Sequence, residues 1–383
     1  MKVIATERIP IKMWLGDIED GALAQAKDLA NLPFAFRHIA IMPDSHQGYG
    51  MPIGGVMATL GAVVPNAVGV DIGCGMCAVK TTLEEIDQDT TKIIMGQIRQ
   101  AVPVGFNHHK EPRAWDGFDN APDIPVIQQE LNSARKQLGT LGGGNHFIEI
   151  QQGSDGFIWI MLHSGSRNFG YKTAKIYHEL AKKWCERWFS NIPNTDLSFF
   201  PIETDEAKEY LEAMNYVLDF AAASRFEILD VITQIVKANV LGANFDEPIN
   251  IHHNYAAWEN HFGKNVLIHR KGATLAREGG IGIVPGSQGT SSYIVQGKGN
   301  PESFQSCSHG AGRKMGRKQA KRELSLEDEV AKMNALGVIH GIREESDLDE
   351  APGAYKDIDV VMENQADLVE VMVKLTPLAV IKG

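Results

Sequence analysis

Apolar residues recur at helical spacing over Ala22–Asn31, over Thr91–Ala101 and along the stretch from Asp205 to about Asn239. In the last, Tyr210, Met214, Val217, Leu218 and Ala221 fall on one side, which predicts a long packing helix. A further helix is predicted after Lys172, in AKIYHELAKKWCERWF, and another in the C-terminal run DLVEVMVKL. The run DIDVVM before it fits either helix or strand. Short β-rich runs alternate with glycine-rich turns: IAIMP (Ile39–Pro43), GAVVPNAVGVDIGCG, HFIEI, FIWIMLHSGS, NVLIHRKG and SYIVQGKG. Periodicity therefore predicts mixed α and β content. No repeat, low-complexity stretch or long linker divides the chain, so one catalytic unit over residues 1–383 is expected.

Composition narrows the function classes. With 43% hydrophobic and 22% charged residues over 383 positions, the chain can bury a large core. Thirty-seven Lys and Arg against 48 Asp and Glu give a formal charge of -11, so any polyanion must be met by a local basic patch. The N-terminal sequence has no signal-peptide apolar core and carries Glu7, Lys12 and Asp17, and no run suits a bilayer; a cytoplasmic protein without a membrane anchor is expected. Four cysteines (Cys74, Cys77, Cys185, Cys307) are too few for a disulfide framework. The 38 glycines, about a tenth of the chain against an average of roughly 7%, cluster beside polar residues and histidines.

Those clusters hold the candidate chemistry. In VGVDIGCGMC, glycines let Asp71 and Cys74 turn toward one point as metal ligands, with the thiolate able to bridge two ions; a buried cysteine beside a turn aspartate is the plain alternative. The Cys74-Gly-Met-Cys77 spacing lacks the flanks of a redox site. LGTLGGGNHFIEI offers Asn145, His146 and Glu149 after three glycines, and in an extended HFIEI the His146 side chain opposes Phe147 and Glu149. His163 ends the run FIWIML, with Arg167 on the loop expected after it. Of the neighbours His252 and His253, only one can enter a given site. His309, among Ser308, Gly310 and Gly312, would let a phosphate reach its imidazole, and a neutral ring could attack phosphorus. Downstream, Arg313, Lys314, Arg317, Lys318, Lys321 and Arg322 put six cations in ten residues, either an RNA-backbone surface or a solvated helix face.

Taken together and in this order, MPDSHQGYGMPIGG, VGVDIGCGM, LGGGNHFIE, LHSGSRNFG, HHNY, PGSQGTSSYIV, SHGAGR, AYKDID and VIKG resemble the RtcB family of RNA ligases. The resemblance implies an α+β fold of layered sheets flanked by helices, with a central metal and GTP cleft. It implies a GTP-dependent enzyme using two Mn2+ ions to join RNA 2',3'-cyclic phosphate or 3'-phosphate ends to 5'-hydroxyl ends. By motif matching, His309 would become guanylylated and Asp44 would assist that step. Asp71, Cys74, His146, His163 and His253 would hold the metals, with Cys74 as the bridge. Asn145, Glu149, Asn254, Ser287, Ser292, Tyr355 and Lys382 would contact the guanylate, and Arg167, Arg313 and Arg317 the RNA. An archease-type activator is a possible partner by the same resemblance. Gln288 departs from the family's usual Met, and Phe106–Gln137 is shorter than in bacterial relatives. A Cys/His-rich set would by itself suggest zinc. From the ligands alone, a dinuclear-metal phosphodiesterase or phosphatase acting on RNA ends is the alternative, and an inactive RNA-binding protein a third reading.

Overall fold

The computed structural model describes all 383 residues, and its core is built on two large sheets. The first has six strands in the order Lys2–Ile4, Ile11–Met13, Ala35–Tyr49, Met51–Thr59, Lys264–Lys271, Asn254–His261, antiparallel except where Ile11–Met13 meets Ala35–Tyr49. The second has seven, in the order Ile249–His252, Gly75–Lys80, Ile158–Ser164, Phe147–Gly153, Val369–Lys382, Ser292–Gly297, Ile281–Val284. Its two edge strands touch, so this sheet is nearly closed.

Alternation along each strand assigns its side chains to two faces. In the first sheet Ile39 and Ile41 pack with Leu29 and Ala30 of the helix Asp20–Ala30, while Ala40 and Met42 face a core shared with Val284, Tyr293 and Val295 of the second sheet. In the second, Ile148 and Ile150 meet the helix Gln88–Ala101 and the distal half of the helix Asp205–Asn239. The two sheets thus share one buried layer with helices outside them, in an α+β domain. No helix is long and apolar enough to cross a membrane.

Four predicted helices appear, at Asp20–Ala30, Gln88–Ala101, Arg167–Arg187 and Asp205–Asn239, and periodicity missed those at Pro125–Gln137 and Leu326–Ala335. The ambiguous DIDVVM is helical, Ile358–Asn364, with the Asp357 side chain accepting from the Asp359 amide. The run DLVEVMVKL, expected as a helix, belongs to the strand Val369–Lys382. Val369, Val371 and Val373 place β-branched residues at a period of two, continued by the apolar Leu375, and the strand pairs on both sides. Its Pro377 is accommodated at a register shift, where no ladder donor is needed. GAVVPNAVGVDIGCG was expected to be β-rich, yet it yields only the strand Ala62–Val63 and a short turn at Pro65–Ala67 before Gly75. Left-handed backbone at Gly69 and Gly73 turns the rest of that run into the loop that carries Asp71 and Cys74.

Six histidines, four buried and His46 and His252 half-buried, have their pKa values pushed far down by desolvation: His38 to about 3, His46, His252 and His269 to about 4, and His163 and His253 well below the ordinary value. An unfolded chain takes up protons at these rings below about pH 6.5, whereas the folded chain does not. Chelator-treated protein is therefore expected to hold its stability above about pH 6.5 and to lose it steeply as pH falls from there. Thermal midpoints measured across pH 7.5 to about 4.5 check this, and a flat profile contradicts it.

Candidate metal and nucleotide site

Five separated residues meet at one end of the nearly closed sheet. The Cys74 sulfur lies 3.4 Å from His146 Nε2 and 3.2 Å from His163 Nε2. His163 Nε2 is 3.3 Å from His253 Nε2, and His146 Nε2 is 3.2 Å from Asp71 Oδ2. Two groups of potential ligands result, Cys74 with His163 and His253, and Asp71 with Cys74 and His146, each spanning no more than 4.8 Å. The sulfur is common to both.

The chemistry of these donors fits divalent cations. His146 Nδ1 lies 2.9 Å from the Leu141 carbonyl and His163 Nδ1 3.1 Å from the Asn145 carbonyl. A carbonyl only accepts, so each Nδ1 carries the hydrogen and each Nε2 presents a lone pair inward. Burial holds His163 and His253 neutral, the ligating form. Burial also pushes the Cys74 thiol well up, with Asp71 adding to the effect, and a bound cation reverses that by deprotonating the sulfur. Burial opposes ionisation of Asp71, but contacts from His146, Cys74 and Arg167 bring it down to about 2. The separations are those of neighbouring ligands at a tetrahedral ion, about 3.4 Å for bonds of about 2.1 Å.

Of the histidine pair only His253 enters the cluster, while His252 Nδ1 turns to the Gly73 carbonyl at 3.1 Å. Strand alternation at the end of Ile249–His252 separates them, as expected. Gly165 packs against Asp71 so closely that a Cβ there would fall 2.3 Å from Oδ1. Behind the cluster stands Arg225, a fully buried arginine of the long helix. Its Nη1 donates to the carbonyls of Gly73 at 2.9 Å and Ser164 at 3.0 Å, its Nε to Asn250 Oδ1 at 2.6 Å, and its Nη2 lies 3.1 Å from His252. One guanidinium thus ties the loop of Cys74, the strand of His163 and the segment leading to His253. Sequence reasoning missed it, although a lone arginine on the apolar stripe of a helix was the available signal.

His309 borders the metal ligands, its ring centroid 4.8 Å from that of His253. Asp44 Oδ2 accepts from His309 Nδ1 at 2.6 Å and from the His309 backbone amide at 3.1 Å. This places the ring hydrogen on Nδ1 and leaves Nε2 with a free lone pair. Gly312 makes the approach feasible: its φ is +72°, and a Cβ would fall 2.1 Å from the Asp44 carbonyl oxygen.

The remaining predicted residues form a second group. Lys382 pairs in register with Phe147, and Glu149 with Val380, bringing a half-buried lysine beside a buried carboxyl. Burial lifts the Glu149 pKa to about 8 against the pull of Lys382 and Gln151. Gln151, which the sequence did not single out, donates to Glu149 Oε2 at 2.6 Å and to Ser292 Oγ at 3.2 Å. Ser287 Oγ lies 2.9 Å from Thr290 Oγ1. Asn254 braces the ligand loop, donating to the Asp71 carbonyl at 3.0 Å and accepting from the Gly272 amide at 2.8 Å. Asn145 is half-buried next to His146.

Arg167 is not on a loop but opens the helix Arg167–Arg187, where its Nη1 lies 3.3 Å from His146 Nδ1 and its Nε donates to Thr140. Arg313 and Arg317 converge on Glu350, at 3.1 and 3.0 Å, and Tyr355 donates to the same carboxylate. Glu350 lay outside the sequence reading. With Lys382, Gln288 and Gly144 it lines a cavity of about 430 Å³.

Replacing the buried tie should loosen the ligands it positions. Arg225→Met is expected to weaken divalent-metal binding by about 10- to 100-fold, the usual cost of losing an outer partner of a metal site. Titration of the metal-free protein with Mn2+ or Zn2+ alone reads this, and an unchanged affinity in a folded variant refutes the role.

Comparison with known proteins agrees with this geometry. The family model described as tRNA-splicing ligase RtcB matches residues 25–383. The RNA-splicing ligase RtcB of Escherichia coli K12 is 39% identical, over 100% of this chain and 99% of that protein. The tRNA-splicing ligase RtcB of Nanoarchaeum equitans is 29% identical over 98% of this chain and 95% of its own. The RNA-splicing ligase RtcB of Mycobacterium tuberculosis is 31% identical over 94% of this chain and its own full length. With a cluster centred on the Cys74 sulfur, an Asp-held histidine beside it and this similarity along its length, the chain belongs to the RtcB family of tRNA-splicing ligases.

Proposed function

We propose that this chain is a GTP-dependent RNA ligase that joins 2',3'-cyclic phosphate or 3'-phosphate ends to 5'-hydroxyl ends through a covalent histidine–GMP at His309. The observation that carries the reading is the Asp44–His309 hydrogen bond of 2.6 Å at the edge of the Cys74-centred cluster. A phosphodiesterase needs only the cluster and leaves that pair without work to do.

The Nε2 lone pair of His309 forms a bond to the α-phosphorus of GTP as the bond to the bridging oxygen breaks, and pyrophosphate leaves with the electron pair. Asp44 retains the Nδ1 hydrogen, fixes the ring and offsets the positive charge that develops on it. An oxygen of the RNA 3'-phosphate then displaces His309 from phosphorus, giving an RNA end capped by GMP. The 5'-hydroxyl oxygen attacks the RNA phosphorus and GMP departs; a cyclic phosphate is first opened by water. Two Mn2+ ions, one held by Asp71, Cys74 and His146 and one by Cys74, His163 and His253, would stabilise charge on the phosphate oxygens.

Asn145, Asn254, Ser287 and Ser292 would bind the nucleotide's phosphates and ribose, and Glu149, Tyr355 and Lys382 its base. Arg167, Arg313 and Arg317 would meet the RNA backbone. A cytoplasmic location and an archease-type activator belong to the same reading.

Incubated with α-labelled GTP and Mn2+, the protein is expected to retain acid-labile label, and His309→Ala to retain none while keeping its thermal midpoint. Label persisting in that variant overturns the nucleophile. Asp44→Asn, which favours the opposite tautomer, is expected to slow labelling by about 100-fold or more; a wild-type rate there removes Asp44 from the step.

A further inference from the structure

Glu350 ends the short helical turn Glu345–Glu350, and it is 5% exposed. One carboxylate there serves four side chains: Arg313 Nη1 at 3.1 Å, Arg317 Nε at 3.0 Å, Lys382 Nζ at 3.6 Å and the Tyr355 hydroxyl. Its backbone carbonyl accepts from Gln288 Nε2 at 2.7 Å. That bond requires the amide nitrogen on the Glu350 side, so Gln288 Oε1 is left buried and without a partner in the wall of the cavity that Lys382 and Glu350 also line.

The partners differ in how much they depend on this carboxylate. Arg313 has other acceptors, the carbonyls of Met315 and Asp349. Lys382 has no other ion-pair partner; Glu149 acts on it only through its charge, and its ammonium otherwise lies 5.5 Å from the Phe147 ring centroid. The Tyr355 hydroxyl has only Glu350 and a 3.5 Å contact from Arg313. Three cations face one carboxylate, so the group keeps about two positive charges. Burial works against ionisation of Glu350, yet Lys382, Arg313, Arg317 and Tyr355 hold its pKa below the usual carboxylate value.

We infer that Glu350 is a positioning residue for nucleotide recognition, fixing Lys382 where a purine base enters the cavity, with Gln288 anchoring its backbone. The inference rests on the GTP-dependent reading above. A half-buried ammonium that loses its counter-ion turns toward water or sheds its proton, so losing the Glu350 charge displaces Lys382 rather than merely weakening one contact. Because Glu350 acts through Lys382, its effect vanishes once Lys382 is gone.

Glu350→Gln removes the charge and keeps the shape. In the labelling reaction, KM for GTP is expected to rise by about tenfold, one lost charge-assisted contact, with the effect falling on KM far more than on the rate at saturating GTP. Combined with Lys382→Ala, it should add no further loss, whereas two independent structural defects would multiply. An unchanged KM, or losses that multiply, overturns the assignment. Should Glu350→Gln fail to fold, Glu350→Asp, which keeps the charge but retracts it, is measured in the same way: a raised KM supports the role and a wild-type KM refutes it. If the unaltered protein takes no label from GTP, the functional reading fails; if it does and these variants match it, only this inference fails.

Discussion

The Cys74 sulfur sits within 3.4 Å of one imidazole nitrogen and 3.2 Å of another, and much of the architecture serves that triangle. Acceptor atoms buried this close repel one another unless positive charge lies among them. The protein supplies some of that charge from behind, through Arg225, whose pKa burial lowers only to about 10 and which therefore stays a cation. Its guanidinium faces away from the ligand atoms and spends its hydrogens on backbone carbonyls, leaving the lone pairs free for metal. The long helix Asp205–Asn239 is thus more than packing: its apolar stripe fixes the depth at which that guanidinium meets three ligand-bearing segments.

The same tautomer device is used twice with different acceptors. Neutral backbone carbonyls of Leu141 and Asn145 hold Nδ1 of His146 and His163, which orients the rings without stabilising a charge on them. Asp44, a carboxylate, holds Nδ1 of His309, and so favours a ring that becomes positive when Nε2 forms a bond. In the proposed reaction, the rings that would stay neutral ligands and the ring that would carry charge are told apart by what stands behind them. The fit depends on glycine: at position 312 a side chain would strike the Asp44 backbone.

Much of the centre was legible in the sequence, because ligand residues bordered by glycines cannot be spread along a regular element. Asp71, Cys74, His146 and His163 lie near such glycines, His253 is singled out only by the motif resemblance, and the structure brings all five together. Strand alternation separated His252 from His253 correctly. What stayed hidden acts over long sequence distances. Glu350 lies 37 residues from Arg313, and Gln151 lies 141 from Ser292, so no local pattern marks them as partners. The run DLVEVMVKL, expected as a helix, lies in the strand Val369–Lys382, where β-branching and a period of two favour the sheet. Arg167 was placed on an open loop because the glycines around it masked the helix start, which the structure realises with a positive φ of 60° at that residue.

Long-range pairing also ties the order of folding to the site. The strand Phe147–Gly153 follows His146 directly, and its neighbour in the sheet is Val369–Lys382, more than two hundred residues onward. Lys382 comes to lie opposite Phe147, and the Gly383 amide donates to the His146 carbonyl at 3.1 Å. Closing a loop of that length yields stabilisation only once the pairing forms, so this ladder belongs to the late, slow part of folding. Until it does, Glu149 has no lysine beside it and Glu350 lacks one of its three cations. The candidate metal ligands, by contrast, are gathered within residues 71–253, by pairings that include Gly75 with His252 and Met76 with His163. The candidate metal cluster and the proposed nucleotide pocket thus have separate structural supports, joined at a single strand.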